Sequence, residues 1–163
     1  MTTTATSADP HARSANIEAR RRAMALIARA RLDELARPIA KGWPAHGARD
    51  LKPVESGLVM LRGRVGGDGQ PFNLGEATVT RAVVELPTGE RGFVHILGRD
   101  GERARLAAIA DALWQRQDAR AAVEATILAP VGQRLAADEA KARAETAATR
   151  VDFFTLVRGE DDA

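Results

Sequence analysis

The chain has 163 residues, 24 basic and 22 acidic, with three histidines and no cysteine. A domain of ~150 residues buries about 68–70% of its unfolded surface, so this length supports one packed domain without covalent staples. The lack of cysteine excludes disulfides and thiolate metal sites. His11, His46 and His95 are too far apart to form a local helical ligand pair, so no metal site of this chain's own is expected.

A sequence pI near 9.6 suggests a nucleic-acid partner, but the formal net charge is only +2. Arginine stays protonated far above neutrality and lifts the pI without creating a strong field at pH 7. Charge is uneven: eight basic against four acidic residues in 1–41, seven against six in 42–99, and nine against twelve in 100–163. Residues 1–16 lack the apolar core of a signal peptide, and no run approaches ~18 apolar residues, so the expectation is a cytoplasmic protein without a membrane span.

In chain order, residues 1–13 are polar and small, as in a frayed tail, and 14–163 are expected to form a single α+β domain. From Asn16, the residues Ile17, Met24, Ile27, Leu32 and Leu35 recur at helical spacing, with Glu18 at the dipole-favoured end. Asp33 is placed to cap a second short helix and Pro38 to close it. Residues 41–57, with Pro44 and Pro53, read as irregular linker. Strands are predicted over 58–65, 78–86 and 92–97, the last two joined as a hairpin by Pro87-Thr-Gly-Glu90.

Asp100 is a predicted N-cap for a helix whose Leu106, Ile109, Ala110, Leu113 and Trp114 form an apolar stripe. Two further helices, 119–129 and 133–148, are expected to be separated by Pro130. The run 150–158 reads as a short strand before an acidic tail. The fold class is therefore α+β, a small antiparallel sheet packed against several helices.

The glycine cluster Gly63, Gly66, Gly67 and Gly69 invites a phosphate-loop reading that its neighbours refuse. Gln70 and Pro71 stand where a P-loop needs Lys and Ser or Thr, and Phe72 stands where a dinucleotide fingerprint needs a small residue. Positive φ in a hairpin connection explains the glycines instead. Glu76, Thr78, Thr80 and Arg81 gather an acid, two hydroxyls and a guanidinium on one strand and are the candidate binding residues. Alternation puts Glu76, Thr78 and Thr80 on one face and Arg81 on the other unless a bulge intervenes. An arginine on an apolar strand marks an ion pair, an interface or a ligand contact.

Arg20-Arg-Arg22, Arg29 and Arg31 supply cations for nucleic acid, but four Phe, two Trp and no Tyr leave little stacking surface, and a solvated helix face accounts for them. His95 has no nucleophile or orienting acid in its local sequence and is expected to be packed or hydrogen-bonded. No catalytic residue emerges.

The segments Gly57-Leu-Val, Gly66-Gly67, Gly75-Glu-Ala-Thr-Val-Thr-Arg-Ala82, Leu97-Gly-Arg-Asp100, Asp111-Ala-Leu113, Leu128-Ala-Pro130 and Arg150-Val-Asp-Phe-Phe-Thr-Leu-Val-Arg-Gly159 occur in order over about residues 17–159. Together they closely resemble the PhnG subunit family of the bacterial carbon-phosphorus lyase system. That resemblance implies a core complex with PhnH, PhnI and PhnJ. In it, this subunit with PhnH, PhnI and the ATPase-like PhnL supports displacement of adenine from MgATP by a phosphonate, giving a ribose 1-phosphonate 5-triphosphate. In the family, nucleosidase chemistry is attributed to PhnI, and radical cleavage to PhnJ with S-adenosylmethionine and an iron-sulfur cluster. No catalytic residue carries over, no cofactor is expected on this chain alone, and MgATP is a substrate of the complex. The resemblance thus implies an accessory subunit. Two alternatives stay open: a shared active site entered by the 76–81 strand, and a basic nucleic-acid or adaptor module.

Overall fold

The computed structural model of the chain describes residues 10–66 and 68–149. Helix α1 spans Pro10–Ile27 and α2 spans Leu32–Gly42; strands β1, β2 and β3 cover Arg49–Arg64, Pro71–Glu85 and Arg91–Leu97. Helix α3 (Gly101–Gln115) leads to α4 (Gln117–Val123), a π-helical turn (Glu124–Leu128) and α5 (Ala129–Ala148). The expected α+β class, helices with a small antiparallel sheet, is what the chain adopts. One compact unit ends at Gly132 and a second begins at Gln133. In the second, α5 carries i,i+4 ion pairs such as Arg134–Asp138 at 3.2 Å. The strand-like run 150–158 lies outside the described residues.

The sheet is a meander, β1-β2-β3, antiparallel throughout. Its inner face carries Thr80, Ala82 and Val84 of β2 with Val94 and Ile96 of β3, all buried. Helix α3 lies on that face, burying Ile109 and Leu113, and Ile27, Leu35, Val123 and Ile127 complete the core around it. The approach is so close at Gly92 that a Cβ there would overlap the carbonyl oxygen of Ala108 and lie 2.7 Å from the Ala112 amide nitrogen. Only glycine permits this helix-on-strand contact.

Several local expectations are corrected. Helix α1 begins at Pro10 rather than near Asn16, which puts Glu18 in mid-helix and leaves Ile17 exposed. Asp33 is not the cap of α2. Glu34, three residues into the helix side of Arg31, accepts the Arg31 backbone N–H at 2.7 Å, while Asp33 pairs with Arg37 at 3.3 Å. Pro38 sits inside α2, which continues to Gly42.

Residues 49–57 are strand rather than linker. Pro53 is tolerated because β1 is an edge strand and because the register gains one residue on β1 between the Lys52–Val83 and Glu55–Arg81 pairs. Pro130 does not interrupt the helices either. The widened turn before it has Ala129 N–H bonding to Glu124 C=O, five residues back, which gives the proline ring room against the preceding turn. After β1, Gly66 takes φ 64°, and Gly69 N–H bonds to Val65 C=O at 3.1 Å.

Candidate functional site: an uncovered sheet face

The helices cover only one side of the sheet. On the other, register aligns Glu55, Arg81 and His95 in one row across the three strands and Gly57, Val79 and Leu97 in the next. Val59 and Ala77, then Leu61 and Gly75, continue this face along β1 and β2, while Val83 and Phe93 lie on its other flank. Alternating strands that bury one face normally turn polar side chains to water on the other. Here the outer face is mostly apolar: Phe93 is 43% exposed, Leu97 70%, Val59 40% and Leu61 45%.

Beyond the Ser56–Thr80 pair, the inner face is uncovered too. Leu58 opposite Thr78 and Met60 opposite Glu76 are exposed, as are Phe72, Leu74 and Val65 near the turn. The distal part of β1 and β2 is thus a two-stranded ribbon with apolar side chains on both surfaces. A ribbon of two strands is marginal alone in water, and contiguous exposed apolar side chains are what partner-binding surfaces carry.

The four candidate residues divide along this boundary. Thr80 is fully buried and its hydroxyl is committed: it donates to Gly98 C=O at 2.6 Å, lies 2.8 Å from Ser56 Oγ, and accepts Asp100 N–H at 3.3 Å. It ties both neighbouring strands and the start of α3 together. Asp100 caps that helix as expected, accepting Arg103 N–H at 3.0 Å. Thr78 is half-buried and Glu76 exposed, both on the uncovered stretch of the inner face.

Arg81 points to the outer face, as strand alternation requires. It donates to Glu55 through Nε at 3.0 Å, and both side chains are largely exposed. The hydrogen bond and charge of Arg81 hold the Glu55 carboxyl below its ordinary range. With Ser56, Val59, Val79 and His95 they line a shallow cleft of about 260 Å³. His95 is exposed beside Arg81 rather than packed. The structure therefore unites Arg81 with Glu55 and His95 on one face and separates it from Thr78 and Thr80.

Sequence reasoning missed Glu55 because it lies 26 residues from Arg81 and its register depends on a bulge. Arg20, grouped with possible phosphate contacts, is spent internally: it donates to buried Asp111 and to Arg91 C=O and stacks over the Phe93 ring, 5.1 Å from its centroid. Arg120 likewise lies over Trp114 at 3.7 Å. Among the described residues no three histidine or carboxylate side chains cluster as metal ligands, and no helix is long and apolar enough to cross a membrane.

A broad, mostly apolar sheet surface with one Glu55–Arg81–His95 row across it is what this geometry offers. The family model for the phosphonate metabolism protein PhnG matches residues 18–159. The chain belongs to the PhnG family. It is 54% identical over 151 residues to the α-D-ribose 1-methylphosphonate 5-triphosphate synthase subunit PhnG of Rhizobium meliloti (strain 1021), an alignment covering 90% of this chain and 94% of that protein. The PhnG match spans every strand of the sheet, the uncovered ribbon included.

Proposed function

We propose that this chain is an accessory subunit of a cytoplasmic α-D-ribose 1-methylphosphonate 5-triphosphate synthase in the carbon-phosphorus lyase system. It assembles with PhnI, PhnH and PhnJ in the core complex and acts with PhnH, PhnI and PhnL when a phosphonate displaces adenine from MgATP. The naming of the relative as a synthase subunit supports the assignment. The observation that carries the accessory role is the apolar, uncovered outer face and ribbon, which needs a protein partner more than a small ligand. MgATP belongs to the complex, and this chain binds no cofactor alone. Glu76, Thr78 and Arg81 lie on the uncovered surface and contact the neighbouring subunit, whereas Thr80 holds the strand in place.

Reconstitution tests this reading. The purified chain should release no adenine from MgATP and methylphosphonate, the full subunit set should do so, and omission of this chain should abolish release. Full activity without it, or adenine release by the chain alone, would overturn the accessory role.

A further inference from the structure

Strand β3 ends the sheet, and its outer edge is only partly closed. Gly98 N–H bonds to Thr78 C=O and Glu90 C=O accepts Leu86 N–H, so even-numbered backbone groups of this stretch face β2. The odd-numbered ones face away. At one end of that edge, Arg91 C=O accepts Gln115 Nε2 at 2.7 Å and Arg20 Nη2 at 3.3 Å, and Phe93 N–H donates to Asp111 at 3.1 Å. At the other end, Leu97 C=O accepts Arg103 Nη2 at 3.0 Å. Between these side-chain plugs lie Phe93 C=O, His95 N–H, His95 C=O and Leu97 N–H, with no strand beyond them among the described residues.

Those four groups have the spacing of an antiparallel ladder. One incoming residue exchanges both hydrogen bonds with His95, and its neighbours two positions away bond Phe93 C=O and Leu97 N–H. Their side chains then fall beside exposed Phe93, His95 and Leu97 on the outer face. The flanking positions want apolar residues. The central one faces the His95 imidazole, whose ring N–H a carboxylate can accept, while Arg81, the next residue in the row, is already paired with Glu55.

We infer that the β3 edge captures an extended segment of a different chain, reading apolar-x-acidic-x-apolar, with the acid opposite His95. The inference rests on the subunit reading above and specifies how one neighbour is held. A second copy fits poorly, because the twofold that uses all four open groups sets His95 against His95 and puts no acid opposite either imidazole. Natural edges are blunted by side chains as this one is at both ends, which makes the open centre a selective window rather than an unguarded strand.

Hydrogen exchange on the complex co-expressed with the other synthase subunits, against the isolated chain, tests the proposal. The His95 and Leu97 amides should exchange at least ~100-fold more slowly in the complex, since strand pairing closes them. His95→Glu should weaken assembly at least ~10-fold while His95→Lys does not, because like charges opposed across strands destabilise. His95→Pro, tolerated where the N–H faces away from the sheet, should leave the isolated chain folded but unassembled. A complex that forms with both amides as fast as in the free chain would overturn the edge and leave the subunit reading standing. Protection that rises with concentration of the isolated chain would mean self-pairing and would also overturn it. Failure to form any complex would overturn the subunit reading and this inference with it.

Discussion

Arg20 on α1 grips Asp111 on α3 through two hydrogen bonds, Nε to Oδ1 at 3.1 Å and Nη2 to Oδ2 at 2.7 Å. Asp111 is 1% exposed, and its Oδ2 also accepts Phe93 N–H from β3. One carboxylate therefore joins two helices to the sheet. Removing Arg20 strands a buried charge that keeps only its amide partner. Because the Arg20 side chain is 28% exposed, water can follow, and Arg20→Ala should destabilise by ~2–3 kcal/mol, below the ~3–5 kcal/mol of a fully buried broken pair. Urea unfolding of the isolated chain measures it, and an unchanged midpoint would make the pair incidental.

Gly92→Ala should be among the most damaging single-methyl changes. The new Cβ would meet the backbone of α3 at Ala108 and Ala112, which no rotamer change can relieve. A loss of ~3 kcal/mol or more is expected, at the upper end for overpacking. Thermal unfolding checks this, and a near-parental melting temperature would show that α3 can lift from the strand.

Thr80 and Arg81 are neighbours with opposite expected phenotypes. Thr80→Val removes a hydroxyl on which Gly98 C=O and Asp100 N–H depend and should cost ~1–3 kcal/mol in the isolated chain. Arg81→Ala breaks only an exposed pair with Glu55 and should cost less than ~1 kcal/mol there. Its effect should fall on assembly. Paired unfolding and co-purification measurements distinguish the two, and a large stability loss at Arg81 would contradict the exposed geometry.

Acid sensitivity should trace partly to His46. Its Nδ1 accepts Ala48 N–H at 3.0 Å, and burial, then the nearby Arg105 charge, lower its pKa from the ordinary value. The unfolded chain thus takes the proton more readily. The stabilisation is present above ~6.5 and is lost as pH falls through the lower folded value. His46→Asn keeps an acceptor without the titration. The variant should show a shallower stability loss between about pH 8 and about pH 5; an identical slope would exclude His46 as a source.

The parts of the fold readable from sequence were those set by local chemistry. Pro87-Thr-Gly-Glu90 specified the β2–β3 hairpin, where Gly89 takes φ 97°, and Asp100 with the stripe through Leu113 specified α3. Prolines misled in both element types, because their meaning depends on neighbours. Pro53 sits on an edge beside a bulge and Pro130 after a π turn, so neither stops its element. In the candidate site, alternation separated Arg81 from Thr80, but only tertiary register brought Glu55 and His95 to it. The Leu58-Val-Met-Leu61 run was visible as strand, yet an apolar run reads alike whether helices cover it or a partner does.

The most direct test of the subunit-surface account compares two added charges in co-purification with the other synthase subunits. Val59→Asp places a carboxylate on the uncovered sheet face, and Ile17→Asp places one on α1 at a position that is also exposed. Both isolated variants should unfold close to the parent. The expected result is that Ile17→Asp enters the complex normally while Val59→Asp is excluded from it, and incorporation of Val59→Asp at the parental level would contradict the account.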